Sequence, residues 1–183
     1  VLGRTMKESI AVASDMQETQ GKFDVVFRGV SERAEAMAAT LVSSYAMSTV
    51  ESKRYLSSIK DLLVPTGIAR EDAARMSGEF VKLAADLGSF NYRPTAQVVR
   101  DIPSALAGGS ETLTKYGIDI KVAAVKQEAL ERGLLKAGEA MTKQARAQAV
   151  LSLAYKHSAD AVGDMERTAE SYANQMKKLQ ANM

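Results

Sequence analysis

Between one Gly or Pro and the next, the apolar residues of this chain recur at steps of three and four, the spacing that gathers side chains on one face of an α-helix. The longest such run is Ala73, Met76, Phe80, Leu83, Ala84, Leu87 and Phe90, about five turns of helix, with Glu79, Lys82 and Asp86 left to other faces. No strand is read anywhere. Twenty-nine of the 183 residues are Ala, a side chain that favours helix but buries little area. The expected fold is therefore all-α: a multi-helix bundle or an elongated array of antiparallel helices with short Gly and Pro breaks and a thin core.

The breaks divide the chain. A first helix runs from Leu2 to about Gln20, with Met6, Ile10, Ala13 and Met16 or Gln17 as its apolar stripe. Gly29 stops the next piece, and Ser31 is placed to cap a helix carrying Ala34, Met37, Ala38, Leu41, Val42 and Tyr45. Ser48 and Glu51 have capping-box spacing, so a third helix is predicted over Thr49 to Leu63. Pro65-Thr66-Gly67 reads as a loop. Asn91-Tyr92-Arg93-Pro94 ends the long central helix, and Thr95 to about Ala107 resumes it, with Pro103 tolerable in a first turn or as a kink.

Gly108-Gly109 closes that piece, and Ser110 to Tyr116 allows about two turns before Gly117. Asp119 is poised as the cap of a helix containing Val122, Val125, Ala129 and Leu130 and reaching about Gly133. Thr142 to Val162 carries Ala147, Val150, Leu151, Ala154 and Tyr155 on one stripe, and Gly163-Asp164 makes a stop-and-cap pair. Finally Ala169, Tyr172, Met176, Leu179 and Met183 alternate three and four, the seam of a coiled coil. Tyr172, Met176, Leu179 and Met183 are the candidate interaction residues, to be buried by an earlier helix or by self-association with another copy. The natural division is 1–64, 65–133 and 134–183, either as separate helical segments or as one continuous domain.

Charge is nearly balanced, with 24 Lys and Arg against 22 Asp and Glu and the signs mixed along the chain. A duplex-binding surface concentrates basic residues, whereas the densest spots here are pairs such as Lys53-Arg54 and Lys177-Lys178, so specific nucleic-acid binding is not expected. The longest stretch without a formal charge, Ala36 to Val50, contains five Ser or Thr and falls short of the ~20 apolar residues a membrane span needs. The chain opens Val1-Leu2-Gly3-Arg4 without a leader pattern and closes inside a helical one, which reads as a segment of a longer protein.

Catalytic chemistry has little to draw on. Absence of Cys removes thiolate nucleophiles and disulfides, and the single His157 has only Asp160 and Asp164 near it in sequence. A surface histidine beside acids on a helix explains that spacing. Gly108-Gly109-Ser110 suggests a phosphate cradle but lacks the preceding strand and the closing Lys-Ser/Thr, so a helix stop followed by a fresh cap explains it better. Glu71-Asp72 suits a helix N-terminus. Tyr45, Phe80, Phe90 and Tyr155 are read as packing anchors. No catalytic residue, cofactor or metal ligand is assigned.

Several segments are recognisable together. Gly67-Ile68-Ala69-Arg70-Glu71-Asp72-Ala73-Ala74, followed by Leu83-Ala84-Ala85-Asp86-Leu87-Gly88-Ser89-Phe90, resembles a stretch of bacteriophage tail tape measure proteins. Leu106 to Leu113, Lys115 to Ile120 and Gln127-Glu128-Ala129-Leu130 continue the likeness. Gly163-Asp164-Met165-Glu166-Arg167-Thr168 with Ser171-Tyr172-Ala173-Asn174-Gln175 is similar to a further motif of that family. The order is kept from about Ala34 to Gln180. Ala69 stands where Ser or Thr would cap a helix, Met165 replaces an aromatic, and Gly109 loosens the turn before Ser110.

The resemblance implies a structural protein of a phage or prophage, not an enzyme. Tape measure proteins run along the lumen of the growing tail, set its length while tube subunits stack around them, and leave ahead of the DNA. Tail tube and tail assembly proteins would be the partners, the host bacterial cytoplasm the place of assembly, and the virion tail the final location. A helix rises about 1.5 Å per residue, so this chain fully extended would reach roughly 275 Å. The competing reading is a helical interaction module that docks a tail chaperone or a tube subunit.

Overall fold

A computed structural model of the protein describes residues 2–168 and Leu179. Among them are eight α-helices and no strand: α1 (Leu2–Val26), α2 (Ser31–Ser44), α3 (Thr49–Leu63), α4 (Arg70–Phe90), α5 (Thr95–Ala107), α6 (Val122–Glu131), α7 (Lys143–His157) and α8 (Asp164–Arg167). Short 3-10 turns occupy Val64–Thr66 and Ser110–Tyr116. The fold is an all-α multi-helix bundle.

Local chemistry explains many of the boundaries. At α3 the Ser48 hydroxyl accepts from the Glu51 amide at 3.2 Å, and the Glu51 carboxylate accepts from the Ser48 amide at 3.0 Å. These two bonds satisfy donors that a helix start leaves orphaned. Thr142 caps α7 by accepting from the Ala145 amide at 3.0 Å. At the end of α5, Gly108 sits at φ +114, a left-handed geometry that costs a residue with a Cβ about 1–2 kcal/mol.

The packing order follows from paired contacts. Asp15 meets Arg54 and Lys22 meets Asp61, so α1 and α3 run parallel. Met37 lies against Gly78 and Tyr45 near Lys82, so α2 runs parallel to α4, with α3 returning between them. α5 folds back on α4, the Ser110–Tyr116 turn packs on α5, α6 and α7 form a hairpin reaching α5, and α8 packs on α4. One connected buried cluster extends from Phe23 to Met165. α4 is its axis, burying Ala74, Ser77, Val81, Ala85 and Gly88 as well as Met76, Phe80, Leu83 and Leu87. Small residues on several faces let other helices approach closely.

The structure corrects several expectations. α1 does not stop near Gln20 but continues through Gly21 to Val26, because Phe23 and Phe27 are buried near its end and that burial outweighs the ~1 kcal/mol cost of an interior glycine. Its expected stripe is not covered: Ile10, Ala13 and Met16 are exposed, since α1 packs chiefly against α3 among the described residues. The side chain of Met6 is outside those described. Ser31 is the first helical residue, with Val30 at the cap position and making no side-chain bond. Asp119 pairs with Lys121 at 3.0 Å and does not cap α6.

Further along, Pro103 lies beyond the first turn of α5, inside the helix. α7 ends at His157, not Val162, and Ser158 to Gly163 forms turns whose Asp160 and Val162 carbonyls accept from the Arg167 guanidinium at 2.9 and 2.7 Å. Asp164 therefore starts α8 behind Gly163 and is not its cap. Tyr45 and Phe80 are buried and Tyr155 half-buried, as anchors should be, but Phe90 is 48% exposed at the last residue of α4. Asp86, expected on a face other than the apolar stripe, is 3% exposed.

Candidate functional site

The junction of α4 with α8 joins segments far apart in sequence. Asp86 projects from the second-last turn of α4 toward the start of α8, where backbone amides have no helical acceptor of their own. Its Oδ2 accepts from the Gly163 amide at 2.9 Å and its Oδ1 from the Met165 amide at 3.1 Å. A residue of one helix thus caps another, 77 positions on in the chain. Three residues beyond Asp86, the hydroxyls of Ser89 and Thr168 lie 3.1 Å apart. Ala69, by contrast, makes no cap bond for α4, and buried Met165 fills the place where the resemblance expects an aromatic ring.

Burial dominates the electrostatics of this junction. It pushes the Asp86 carboxyl above the usual carboxylate range, although the Gly163 and Met165 amides pull the other way; Glu166 and Asp164 add to the upward shift. Tyr45, facing Asp86 and Glu166, is pushed up to about 12, again chiefly by burial. The Tyr155 hydroxyl donates to the Glu79 carbonyl at 3.1 Å, tying α7 to α4. A second polar clamp joins α6 to α7. Glu128, buried on α6, accepts from Ser152 at 2.6 Å and from Lys156 at 2.5 Å, and the Lys156 bond is the main reason its carboxyl lies below the usual range.

The sequence-predicted interaction residues Tyr172, Met176 and Met183 lie outside the described residues. Leu179 is helical and 60% exposed. His157 is exposed in the last turn of α7, and the turns after it separate it from Asp164, so the helical face that would group them does not form. Among the described residues no group of three or more His, Cys, Asp or Glu side chains is placed to hold a metal ion. Gly108 and Gly109 serve as a helix stop, and a Cβ on Gly109 would come within 2.5 Å of the Ser104 hydroxyl. No helix among the described residues is long and apolar enough to cross a membrane.

Sequence reasoning missed Asp86 and Glu128, and it missed Lys53, Ser57 and Lys60, buried on α3. A signal existed for two of these. Asp86 is the one charge in the run from Leu83 to Gly88, and Lys60 falls on the stripe of Leu56, Ile59 and Leu63 at helical spacing.

Comparison with known proteins returns no match: no family model, no curated protein and no solved structure aligns with the chain.

Proposed function

We propose that this chain is a segment of a phage or prophage tail tape measure protein, acting as a structural scaffold that sets tail length and takes part in genome delivery. The supporting observation is the α4–α8 junction. Asp86 and Ser89 belong to one of the segments that carry the resemblance, Gly163, Met165 and Thr168 to another, and the two meet in the fold. The recognised stretches therefore act on each other as one unit, which favours a shared structural role. The all-α bundle and its small-residue axis at α4 suit a chain that must be repacked or straightened inside a narrow tube.

The test is an in-frame deletion of about 50 residues in the phage or prophage that encodes the chain. A segment extended while measuring would shorten tails by roughly 75 Å. Unchanged tail length in otherwise normal particles would overturn the measuring role. The docking-module reading is favoured by one separate observation, the exposed Ile10, Val12 and Met16 of α1. It predicts a chain that binds a tail chaperone or tube subunit during assembly and is absent from purified particles, whereas a ruler ends up inside them.

A further inference from the structure

α1 is held differently from the helices around it. α3 is the element it packs against, and residues 10–18 are all exposed. Besides the ion pairs of Asp15 with Arg54 and Lys22 with Asp61, each about half-exposed, and the bonds of Gln20 to Lys53 of α3 and Glu35 of α2, it is attached through two aromatic rings. Phe23 and Phe27 are buried with their centroids 4.6 Å apart. Two lysines of α3 face these rings. Lys53 Nζ stands 5.0 Å from the Phe23 centroid and is satisfied, donating to Gln20 at 2.6 Å and Glu35 at 2.7 Å.

Lys60 is not. Its Nζ stands 4.4 Å from the Phe27 centroid, the residue is 0% exposed, and the amine has no hydrogen-bond acceptor; neither does the hydroxyl of buried Ser57, one turn earlier on the same helix. The charged groups facing Lys60 are Asp61, already joined to Lys22, and Arg70 and Glu71 at the start of α4. Burial, with Arg70, holds its amine below the ordinary lysine range. A ring face returns only part of what an ammonium loses with its water. Lifting α1 with Phe27 away would rehydrate Lys60 under the ring and Ser57 beside Asp15, Thr19 and Lys22, and the link to α2 contains Gly29 at φ +87, a natural pivot.

We propose that α1 is a releasable arm. It lifts from α3 as one unit, pivoting at Arg28 to Val30, while α2 to α8 stay packed, and the unpartnered Lys60 and Ser57 beneath it set how easily it leaves. This holds or fails independently of the tail reading, since it concerns the chain alone.

Hydrogen–deuterium exchange on the full chain tests it. In the unaltered protein the amides of 19–26 should exchange together and faster than those of 76–87 in α4. K60M, which keeps a long side chain over Phe27 without the charge, should slow the α1 set by about tenfold or more, equivalent to 1.4 kcal/mol or more, and leave the α4 set unchanged. S57A should slow the same set severalfold. K53M, which removes the bonds from Lys53 to Gln20 and Glu35, should speed it. One common rate for α1 and α4 in the unaltered protein would overturn the proposal, as would unchanged or faster α1 exchange in folded K60M. Should K60M not fold, S57A decides: unchanged α1 exchange in that variant overturns the proposal equally.

Discussion

Replacing Asp86 tests whether the α4–α8 junction is a working part of the fold. The carboxylate accepts two backbone amides, from Gly163 at 2.9 Å and Met165 at 3.1 Å. Hydrogen bonds to a charged group contribute ~1.5–3 kcal/mol each, and an amide left buried without an acceptor costs ~1–3 kcal/mol. Against this stands the cost of burying the carboxylate, which is what raises its pKa. Asp86→Ala should therefore destabilise by about 3 kcal/mol net, or roughly 6–12 °C in Tm for a chain of this size. Asp86→Asn keeps the shape but turns an NH2 toward one of the two amides, and should fall between Ala and the unaltered protein.

The pH dependence carries a definite sign. Because the folded pKa is raised, the stability Asp86 contributes is fully present below the unfolded value of about 3.9 and is lost as pH rises through the folded value. Because the Asp86 carboxyl is raised, the gap between the unaltered protein and Asp86→Ala in urea denaturation should thus narrow as pH rises from the acid side. Equal melting of all three proteins, or a gap that widens with rising pH, would refute the reasoning.

Three other substitutions have outcomes set by the structure. Gly21→Ala, at an exposed position inside α1 where an added Cβ meets nothing within 4 Å, should raise stability by about 0.5–1 kcal/mol, read as a higher Tm. Tyr92 holds φ +54 at the end of α4, where the Arg93 amide donates to the Gly88 carbonyl at 2.7 Å, and its ring is 91% exposed. Tyr92→Gly should relieve that strain and stabilise by about 1 kcal/mol in denaturant titration. Glu128→Gln removes the charge from the α6–α7 clamp and should cost about 2 kcal/mol at pH 7, since Lys156 is partly hydrated and can recover water. The folded pKa of Glu128 is lowered, so its contribution is present above about 4.3 and disappears as pH falls through the folded value. The difference between the two proteins should close in acid.

What the sequence determined by itself was local. Three-and-four spacing placed the helices, and the Ser48–Glu51 box and the glycines at 67, 108 and 117 marked where several of them begin or end, because those signals act between neighbours and need no distant partner. Tertiary structure decided which faces were covered. Periodicity identifies a stripe but not how many neighbours a helix has, so α4 appeared one-sided although helices approach it from several directions, and α1 appeared covered although among the described residues it packs chiefly on α3.

The same ignorance of neighbours hid the buried charges. Whether Asp86 meets solvent or two unpaired amides depends on where Gly163 and Met165 arrive, and whether Lys60 is hydrated depends on Phe27 settling over it. The covering group in each case lies tens of residues away, and burial of a polar side chain is a property of that encounter, not of the residue or the helix that carries it.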